Sequence, residues 1–385
     1  MAGEEHEEFR MALLGPSGVG KTTMLTAMFS ETDEALSGKS ARVVTETATE
    51  ARIRKHKVAL REAEQTGVFS SGGIAGTDIP EFLGFALRSA GLSRVEIPFR
   101  ILDYPGGWLD PGYRQRKGVS EENWRRVEDH LVSSILMVVP IDAALLMEAG
   151  DTRRALASYW LDVVGVEETV RIWAKTRNLP ENRAEPAVLV LAPVKCETYL
   201  RPGRPAGSDA RALRDRVRQM YAQVLELVAK EAEDRDIRVV YVPVQTYVNI
   251  TLIDGRWTHS AEVNREAFAA RYRFTTSPPR SEVRGAVDVM RELCACVFEG
   301  RRRLAELEEQ ERLDQQSGLQ ARRYSRKGFF GTLAYHFSGD ARRDDQAIGA
   351  SGRAVQRARQ EREQLESDIR MLATLPVGPH VEEWR

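Results

Sequence analysis

One stretch decides the fold: Gly15-Pro16-Ser17-Gly18-Val19-Gly20-Lys21-Thr22. It matches the phosphate-loop pattern G-x-x-x-x-G-K-[ST] and lies between apolar residues 11–14 and 24–28, a strand-to-helix setting. Its glycines permit backbone angles closed to other residues, so successive N–H groups can converge on one anion. The positive end of the following helix faces the same point. An accidental glycine turn is the competing interpretation, and the setting favours a nucleotide-binding loop.

The same loop predicts ligands for phosphate and for metal. Lys21 can reach the terminal phosphates, and the Thr22 hydroxyl can ligate Mg²⁺. The residues predicted to contact the nucleotide here are Gly15, Pro16, Ser17, Gly18, Val19, Gly20, Lys21, Thr22 and Thr23.

A second motif, Asp103-Tyr104-Pro105-Gly106, follows a predicted strand. An aspartate at the carboxyl end of a buried strand, close to a phosphate loop, can hold Mg²⁺ through water. The backbone N–H of Gly106 could meet the γ-phosphate. Such a motif alone could be a turn in any loop. Its place at a strand end, downstream of a phosphate loop, favours a nucleotide-sensing role.

Apolar strands alternate with helices along most of the chain, which predicts a mainly parallel sheet covered on both faces. The expected strands are residues 11–14, 82–87, 95–102, 135–140, 187–192 and 237–244. One helix is expected from the phosphate loop to about residue 30. The other expected helices cover residues 47–65, 119–132, 143–178, 208–235 and 281–300. Residues 250–280 lack a regular pattern and are expected to be irregular. The fold class is therefore α/β, the three-layer P-loop NTPase architecture, with one antiparallel edge hairpin and a C-terminal α-helical hairpin.

Composition shifts suggest how the chain is divided. We expect a disordered acidic N-terminus at residues 1–8, a main domain at residues 9–300, a helical hairpin arm at residues 301–376 with an aromatic tip at 326–339, and a short tail at residues 377–385. Within the main domain, residues 47–66 are expected to form an exposed helical insertion whose thin apolar stripe is Ile53, Val58 and Leu60.

The tip of the arm is the most apolar loop in a charged region. Three interpretations remain open for it. It could fold back as a small satellite core, bind a partner protein, or insert into a membrane interface. Membrane contact is the least favoured of the three, because Asp340, Asp344 and Asp345 offset the neighbouring arginines.

Bulk composition narrows the setting. The 385-residue chain is 42% hydrophobic and 29% charged, as in a soluble globular protein, and its net charge of −1 gives no strong signal for nucleic acid. Its three cysteines, Cys196, Cys294 and Cys296, lack metal or redox spacing. No signal peptide and no apolar run of about 18 residues is present, so we expect a cytoplasmic protein.

These motifs and the strand order resemble the Ras-like, translation-factor-related (TRAFAC) class of P-loop GTPases over residues 9–300. The stretch Asp103-Tyr104-Pro105-Gly106-Gly107-Trp108-Leu109 is more narrowly similar to the YcjX-type and bacterial double-GTPase families. The resemblance implies GTP and GDP as ligands and Thr77 as the switch threonine that ligates Mg²⁺. Thr66 is a weaker candidate, and Thr77 could instead cap a turn. The implied catalytic set is Lys21, Thr77 and Gly106, and the implied metal ligands are Thr22, Thr77 and Asp103.

The base-specificity motif of these families, [NT]-K-x-D, is matched only in part by Val194-Lys195-Cys196-Glu197. Lys195 can stack its stem on the purine, and Glu197 could accept hydrogen bonds from guanine N1 and N2. A lysine and a glutamate on an ordinary loop are the competing interpretation. The resemblance places the remaining base contact near Gln245-Thr246, where the match is weak.

The water-orienting glutamine that follows D-x-x-G in many Ras-like enzymes is replaced by Gly107. Arg114, Arg116 and Lys117 could supply charge, or they could form a solvated basic loop. We therefore expect slow GTP hydrolysis that a partner or self-association accelerates.

Two functions of other classes stay open beside a GTPase switch. The switch would control a protein partner through the arm or the switch loops, or act as a homodimer, and the resemblance suggests bacterial stress response or anti-phage defence. The alternatives are a dynamin-like mechanical GTPase on membranes and a nucleotide-binding scaffold with negligible turnover.

Overall fold

A computed structural model gives the architecture of the chain. It describes residues 8–16, 18–66, 68–70, 80–91, 96–103, 108, 111–179, 182, 185–232, 237–260, 265–276, 282–316, 333 and 352–385.

An eight-stranded mixed sheet forms the centre of the protein. Its strands, in chain order, are β1 (Phe9–Leu13), β2 (Ala41–Thr45), β4 (Glu81–Ser89), β5 (Glu96–Asp103), β6 (Leu136–Asp142), β7 (Ala187–Val194), β8 (Ile237–Tyr241) and β11 (Glu382–Glu383). The order across the sheet is β11-β8-β7-β6-β1-β5-β4-β2. From β8 to β5 neighbouring strands are parallel, and β4 turns back antiparallel to β5 in the predicted hairpin. In contrast to the sequence expectation, the hairpin is not at the edge of the sheet, because β2 pairs with β4 on its outer side and β11 forms the other, antiparallel edge.

Helices cover both faces of this sheet, so the predicted α/β class with a mostly parallel sheet is confirmed. The helices are α1 (Lys21–Ala35), α2 (Thr47–Thr66), α3 (Pro111–Arg116), α4 (Glu121–Ser133), α5 (Ala143–Glu148), α6 (Arg154–Trp160), α7 (Val163–Arg177), α8 (Ala210–Met220), α9 (Ala222–Glu231), α10 (Ala286–Gln316) and α11 (Gly352–Ala373). One apolar core lies between the sheet and helices α1, α10 and α11. A second core lies between the opposite face of the sheet and the helices from α4 through α9.

A second, three-stranded sheet lies beside the first and contradicts the expectation that residues 250–280 are irregular. It has the order β3-β10-β9, with β3 at Val68–Ser70, β9 at Ile250–Ser260 and β10 at Arg265–Phe274, all antiparallel. Asp254-Gly255, a residue pair typical of turns, lies inside β9. Tyr272 and Phe274 pack into a small core of their own, and this burial stabilises the hairpin.

Other helices differ from the sequence expectations in their breaks. The long helical region at 143–178 is three helices, and the helix expected at 208–235 breaks at Tyr221. The helix expected to end near residue 300 continues to Gln316.

The C-terminal segment is built into the main fold where the structure describes it. Leu365, Ile369 and Leu372 of α11 belong to the core beneath α1, and Glu382 pairs with Tyr241 at the edge of the central sheet. Of the predicted aromatic tip only Leu333 is among the described residues. Its side chain is fully buried in the same core. No helix of the described residues is long and apolar enough to cross a membrane.

Candidate functional site

The phosphate-loop stretch connects the end of β1 to the start of α1. Gly20 caps the helix with a left-handed backbone (φ 114°), and Gly18 has φ 78°, angles that favour glycine over any residue with a Cβ atom. Lys21 is the first residue of α1. The loop therefore has the strand–turn–helix form that the sequence predicts, and the N–H groups of the first helical turn face the loop. Ser17 lies outside the described residues.

The Lys21 side chain is folded back into the loop. Its Nζ donates hydrogen bonds to the carbonyl oxygens of Gly15 at 2.8 Å and Pro16 at 3.1 Å. Burial lowers the pKa of Lys21, and the negative charge of Asp103 opposes that shift. An ammonium group held by loop carbonyls can exchange them for phosphate oxygens, which are stronger acceptors.

Asp103 lies at the carboxyl end of β5, in register with Leu13 at the end of β1. Its residue is fully buried, and its Oδ2 accepts a 2.6 Å hydrogen bond from Nη2 of Arg52. The same Nη2 lies 3.2 Å from the Thr22 hydroxyl oxygen, while Nη1 pairs with Glu81 of β4. One guanidinium thus bridges two of the three predicted metal ligands.

The oxygen donors at this corner suit Mg²⁺, and a cationic group already occupies the place among them. Thr22 and Asp103 would hold the ion together with nucleotide phosphates. Thr77 and Gly106, the other predicted switch residues, lie outside the described residues. Among the residues that the structure does describe, no three His, Cys, Asp or Glu side chains are grouped as a metal site.

Sequence analysis does not identify Arg52 as a site residue, because it treats α2 as an exposed insertion. The helix has the predicted bounds, but its inward face is polar: Thr49 and His56 are buried on either side of Arg52. Burial and the charge of Arg52 lower the pKa of His56 to about 4. Val58 of the expected apolar stripe is 49% exposed. The available signal was the spacing of these polar residues, three and four positions apart, which places them on one side of a helix.

Lys195 and Glu197 follow β7, two strands away from β1. Lys195 has a left-handed backbone (φ 56°). Its Nζ donates to the Gly18 carbonyl at 3.1 Å and to the Asp142 carboxylate at 2.5 Å. Asp142 also accepts from the N–H of Leu145 and so caps α5. The lysine therefore connects the phosphate loop with the ends of β6 and β7, an arrangement in which Asp142 is a further residue that sequence analysis does not identify.

Glu197 is a buried carboxylate at the same edge of the sheet. One of its oxygens, Oε1, accepts from the Tyr247 N–H at 3.0 Å and the Thr246 hydroxyl at 3.3 Å. Thr246 is one of the two residues that the resemblance suggests for the remaining base contact. Burial raises the pKa of Glu197 to about 7, although these hydrogen bonds lower it in part. Its second oxygen, Oε2, is buried without a hydrogen-bond partner among the described residues.

The downstream cations contribute differently. Arg114 donates to the Trp108 carbonyl at 2.5 Å and lies over the Trp124 ring at 3.8 Å. These contacts hold Arg114 against Trp108, which precedes α3, and against Trp124 of α4. Arg116 and Lys117 are exposed. Gly107, which replaces the water-orienting glutamine, lies outside the described residues.

The site therefore collects the ends of β1, β5, β6 and β7 at one edge of the central sheet. Parallel strands place their carboxyl ends together, which is where open α/β sheets bind ligands. The structure brings Lys21, Thr22, Asp103, Lys195 and Glu197 to this edge. No match was found when the chain was compared with models of protein families and with curated proteins.

Proposed function

We propose that the protein binds GTP with Mg²⁺, hydrolyses it slowly and acts as a switch on a protein partner. The observation that carries the proposal is the glycine loop between β1 and α1, with Lys21 at the first helical position. A loop of this form offers backbone N–H groups, a helix N-terminus and an ammonium group to one polyphosphate.

The preference for guanine is supported by the other end of the site. Guanine presents N1–H and N2–H as donors where adenine presents an acceptor and no second donor. The buried Glu197 carboxylate has an oxygen without a partner among the described residues, and an ionised carboxylate only accepts. Lys195, linked to the loop through Gly18, can cover the purine ring with its stem.

Slow turnover is supported by the sequence that follows the Asp103 motif and by the contacts of Arg114. Gly107 offers no side chain to orient water, and Arg114 is engaged by Trp108 and Trp124. We expect acceleration by a partner or by self-association, through the switch loops or the C-terminal helices. A role in bacterial stress response or anti-phage defence belongs to the proposal only through the resemblance of the Asp103 motif.

The two other functions differ in what they require. A membrane-remodelling GTPase would need an apolar surface on the arm, and the burial of Leu333 in the core favours internal packing instead. A scaffold with negligible turnover needs only the binding site. Phosphate release measured with and without liposomes separates all three.

The decisive experiment is equilibrium binding of GTP, GDP and ATP to the purified full-length protein. Lys21→Ala should weaken GTP binding by roughly a hundredfold, because it removes a charge-assisted contact to phosphate. Lys39→Ala, at an exposed lysine just beyond α1, is the matched control and should bind like the wild type. Equal binding by Lys21→Ala, or a clear preference for ATP, would contradict the proposal.

A further inference from the structure

Arg52 occupies the place that a metal ion would take at this edge of the sheet. Its guanidinium contacts the Asp103 carboxylate, the Thr22 hydroxyl and the Glu81 carboxylate, which belong to three different elements. The arginine side chain is 17% exposed and that of Asp103 is fully buried. The guanidinium therefore balances the negative charge of these two carboxylates.

We infer that Arg52 holds the cation position of the nucleotide-free protein and is exchanged for the divalent cation that enters with the nucleotide. The inference rests on the proposed function for its place in a nucleotide cycle. Its physical basis is local: a guanidinium and a divalent ion on the same oxygen atoms repel each other at contact distance. An ion bound directly to Oδ2 of Asp103 and the Thr22 hydroxyl would therefore displace the guanidinium from those atoms.

The exchange would reach beyond the site through α2. Arg52 ties the middle of this helix to β4 through Glu81 and to β5 through Asp103. The helix leads into β3, which pairs with β10 of the three-stranded sheet. Release of Arg52 removes the ion pairs that fix α2 to the central sheet, so the arrival of the cation changes how α2 is held.

The rival interpretation is that Arg52 and Asp103 form a permanent structural ion pair. Measurements on the nucleotide-free protein distinguish this interpretation from exchange with a cation. Arg52→Ala leaves the Asp103 carboxylate and the Thr22 hydroxyl without the guanidinium, and such oxygens are the ligands that divalent cations prefer. In the absence of nucleotide, we expect Mg²⁺ or Mn²⁺ at about 5 mM to raise the melting temperature of Arg52→Ala by roughly 5 °C, because an ion that binds only the folded state stabilises it. The wild type should not respond, since Arg52 already fills the position.

Arg54→Ala is the matched control for this experiment. Arg54 lies two residues further along α2, pairs with Glu50 and has a side chain that is 74% exposed. It should behave like the wild type with and without the cation. A wild-type response equal to that of Arg52→Ala, or no response in Arg52→Ala, would overturn the inference.

A second measurement covers the case in which Arg52→Ala does not fold. Glu81 is partly exposed, so Glu81→Gln should fold while weakening the hold on Arg52. With a fluorescent GTP analogue bound, the Mg²⁺ concentration for half-maximal signal should fall about threefold in Glu81→Gln and about tenfold in Arg52→Ala, since less work is needed to displace the guanidinium. Arg52→Lys, which keeps the charge, should stay near the wild type.

An unchanged Mg²⁺ requirement in both Glu81→Gln and Arg52→Ala would overturn the inference. If the protein bound no nucleotide at all, the proposed function would fail, while the melting experiment would still decide the role of Arg52.

Discussion

The two ends of the candidate site treat buried negative charge in opposite ways. One end, which we call the metal end after the ligand proposed for it, contains the Asp103 carboxylate paired with Arg52. The charge of Asp103 also opposes the lowering of the Lys21 pKa by burial. At the base end, Glu197 accepts hydrogen bonds but has no cationic partner among the described residues, and Lys195 is paired with Asp142 instead. Burial without a counter-charge raises the pKa of Glu197 to about 7.

This difference assigns different work to the two ends. At the metal end the Asp103 carboxylate already has a cationic partner, so a metal ion that binds there would have to replace Arg52. At the base end, the buried Glu197 carboxylate has an oxygen without a hydrogen-bond partner among the described residues. In the proposed complex, the N1–H and N2–H groups of guanine would donate to this carboxylate and offset the free-energy cost of its burial. We therefore expect the metal end to govern stability and the base end to govern selectivity.

The largest effect is expected from breaking the charge balance at the metal end. Asp103→Ala leaves the Arg52 guanidinium without its buried partner, and it should lower the free energy of unfolding by about 3 kcal/mol. Urea unfolding of the nucleotide-free protein measures this loss. Glu96→Ala is the control, because Glu96 lies on the same strand as Asp103 and its ion pair with Arg88 of β4 joins two partly exposed side chains. That loss should stay under about 1 kcal/mol, and equal losses would remove the special role of Asp103.

Selectivity at the base end is tested by Glu197→Gln. The amide has the shape of the carboxylate but offers a donor, which would face the N1–H of guanine. We expect GTP affinity to fall roughly thirtyfold, about 2 kcal/mol, while ATP affinity changes less than about threefold. Competition binding with both nucleotides gives the two values. A parallel loss for GTP and ATP would mean that Glu197 supports the fold of the site and does not read the base.

A pH titration sharpens the same contrast without a mutation. If Glu197 reads guanine as proposed, binding needs its ionised form, and because its pKa is raised to about 7 the binding-competent fraction should increase as pH rises through that value. Between pH 6 and 8 the affinity for GTP should increase about tenfold relative to that for ATP. ATP serves as the control because its triphosphate titrates similarly. The ratio should be flat with pH in Glu197→Gln, and a flat ratio in the wild type would contradict the assignment.

The same carboxylate makes a prediction about the direction of stability. A carboxyl group whose folded pKa lies above its unfolded pKa stabilises the folded state in its neutral form, so stability should decline as pH rises from about 4.5 to about 7. The nucleotide-free Glu197→Gln protein should lack this decline.

The parts of the fold that sequence analysis predicts are those with one dominant signal. Strands β6 and β7 are buried on both faces, so they are continuous apolar runs that stand out in the sequence. The hairpin of β9 and β10 is missed because its strands are half exposed and polar or charged residues interrupt their apolar residues. A period-two pattern was nevertheless available in β10, where Tyr272 and Phe274 are buried while Arg271 and Arg273 are exposed.

The candidate site divides along a similar line. Lys21, Thr22 and Asp103 lie in motifs whose spacing is local, so the sequence alone predicts that they face one ligand. Arg52 is 30 residues from Thr22 and 51 from Asp103, and it reaches them only because α2 packs beside α1 and β4. Long-range pairing of this kind has no local pattern, which is why the arginine appears only in the structure.

The smallest expected effect concerns the backbone that positions the base end. Lys195 has φ 56°, a conformation that costs an L-residue with a Cβ atom about 1 kcal/mol and costs glycine little. Lys195→Ala and Lys195→Gly both remove the bonds to Gly18 and Asp142, so they differ chiefly in backbone strain and in the entropy of the unfolded chain. Because those two terms oppose each other, Lys195→Gly should be as stable as Lys195→Ala or more stable, by up to about 1 kcal/mol in urea unfolding.

At an ordinary helical position, such as the exposed Lys230 in α9, the same pair of substitutions should favour alanine by about 1 kcal/mol. If alanine were favoured equally at both positions, the left-handed turn would not be what holds Lys195 over the loop, and the link between the base end and the phosphate loop would depend on its side-chain bonds alone.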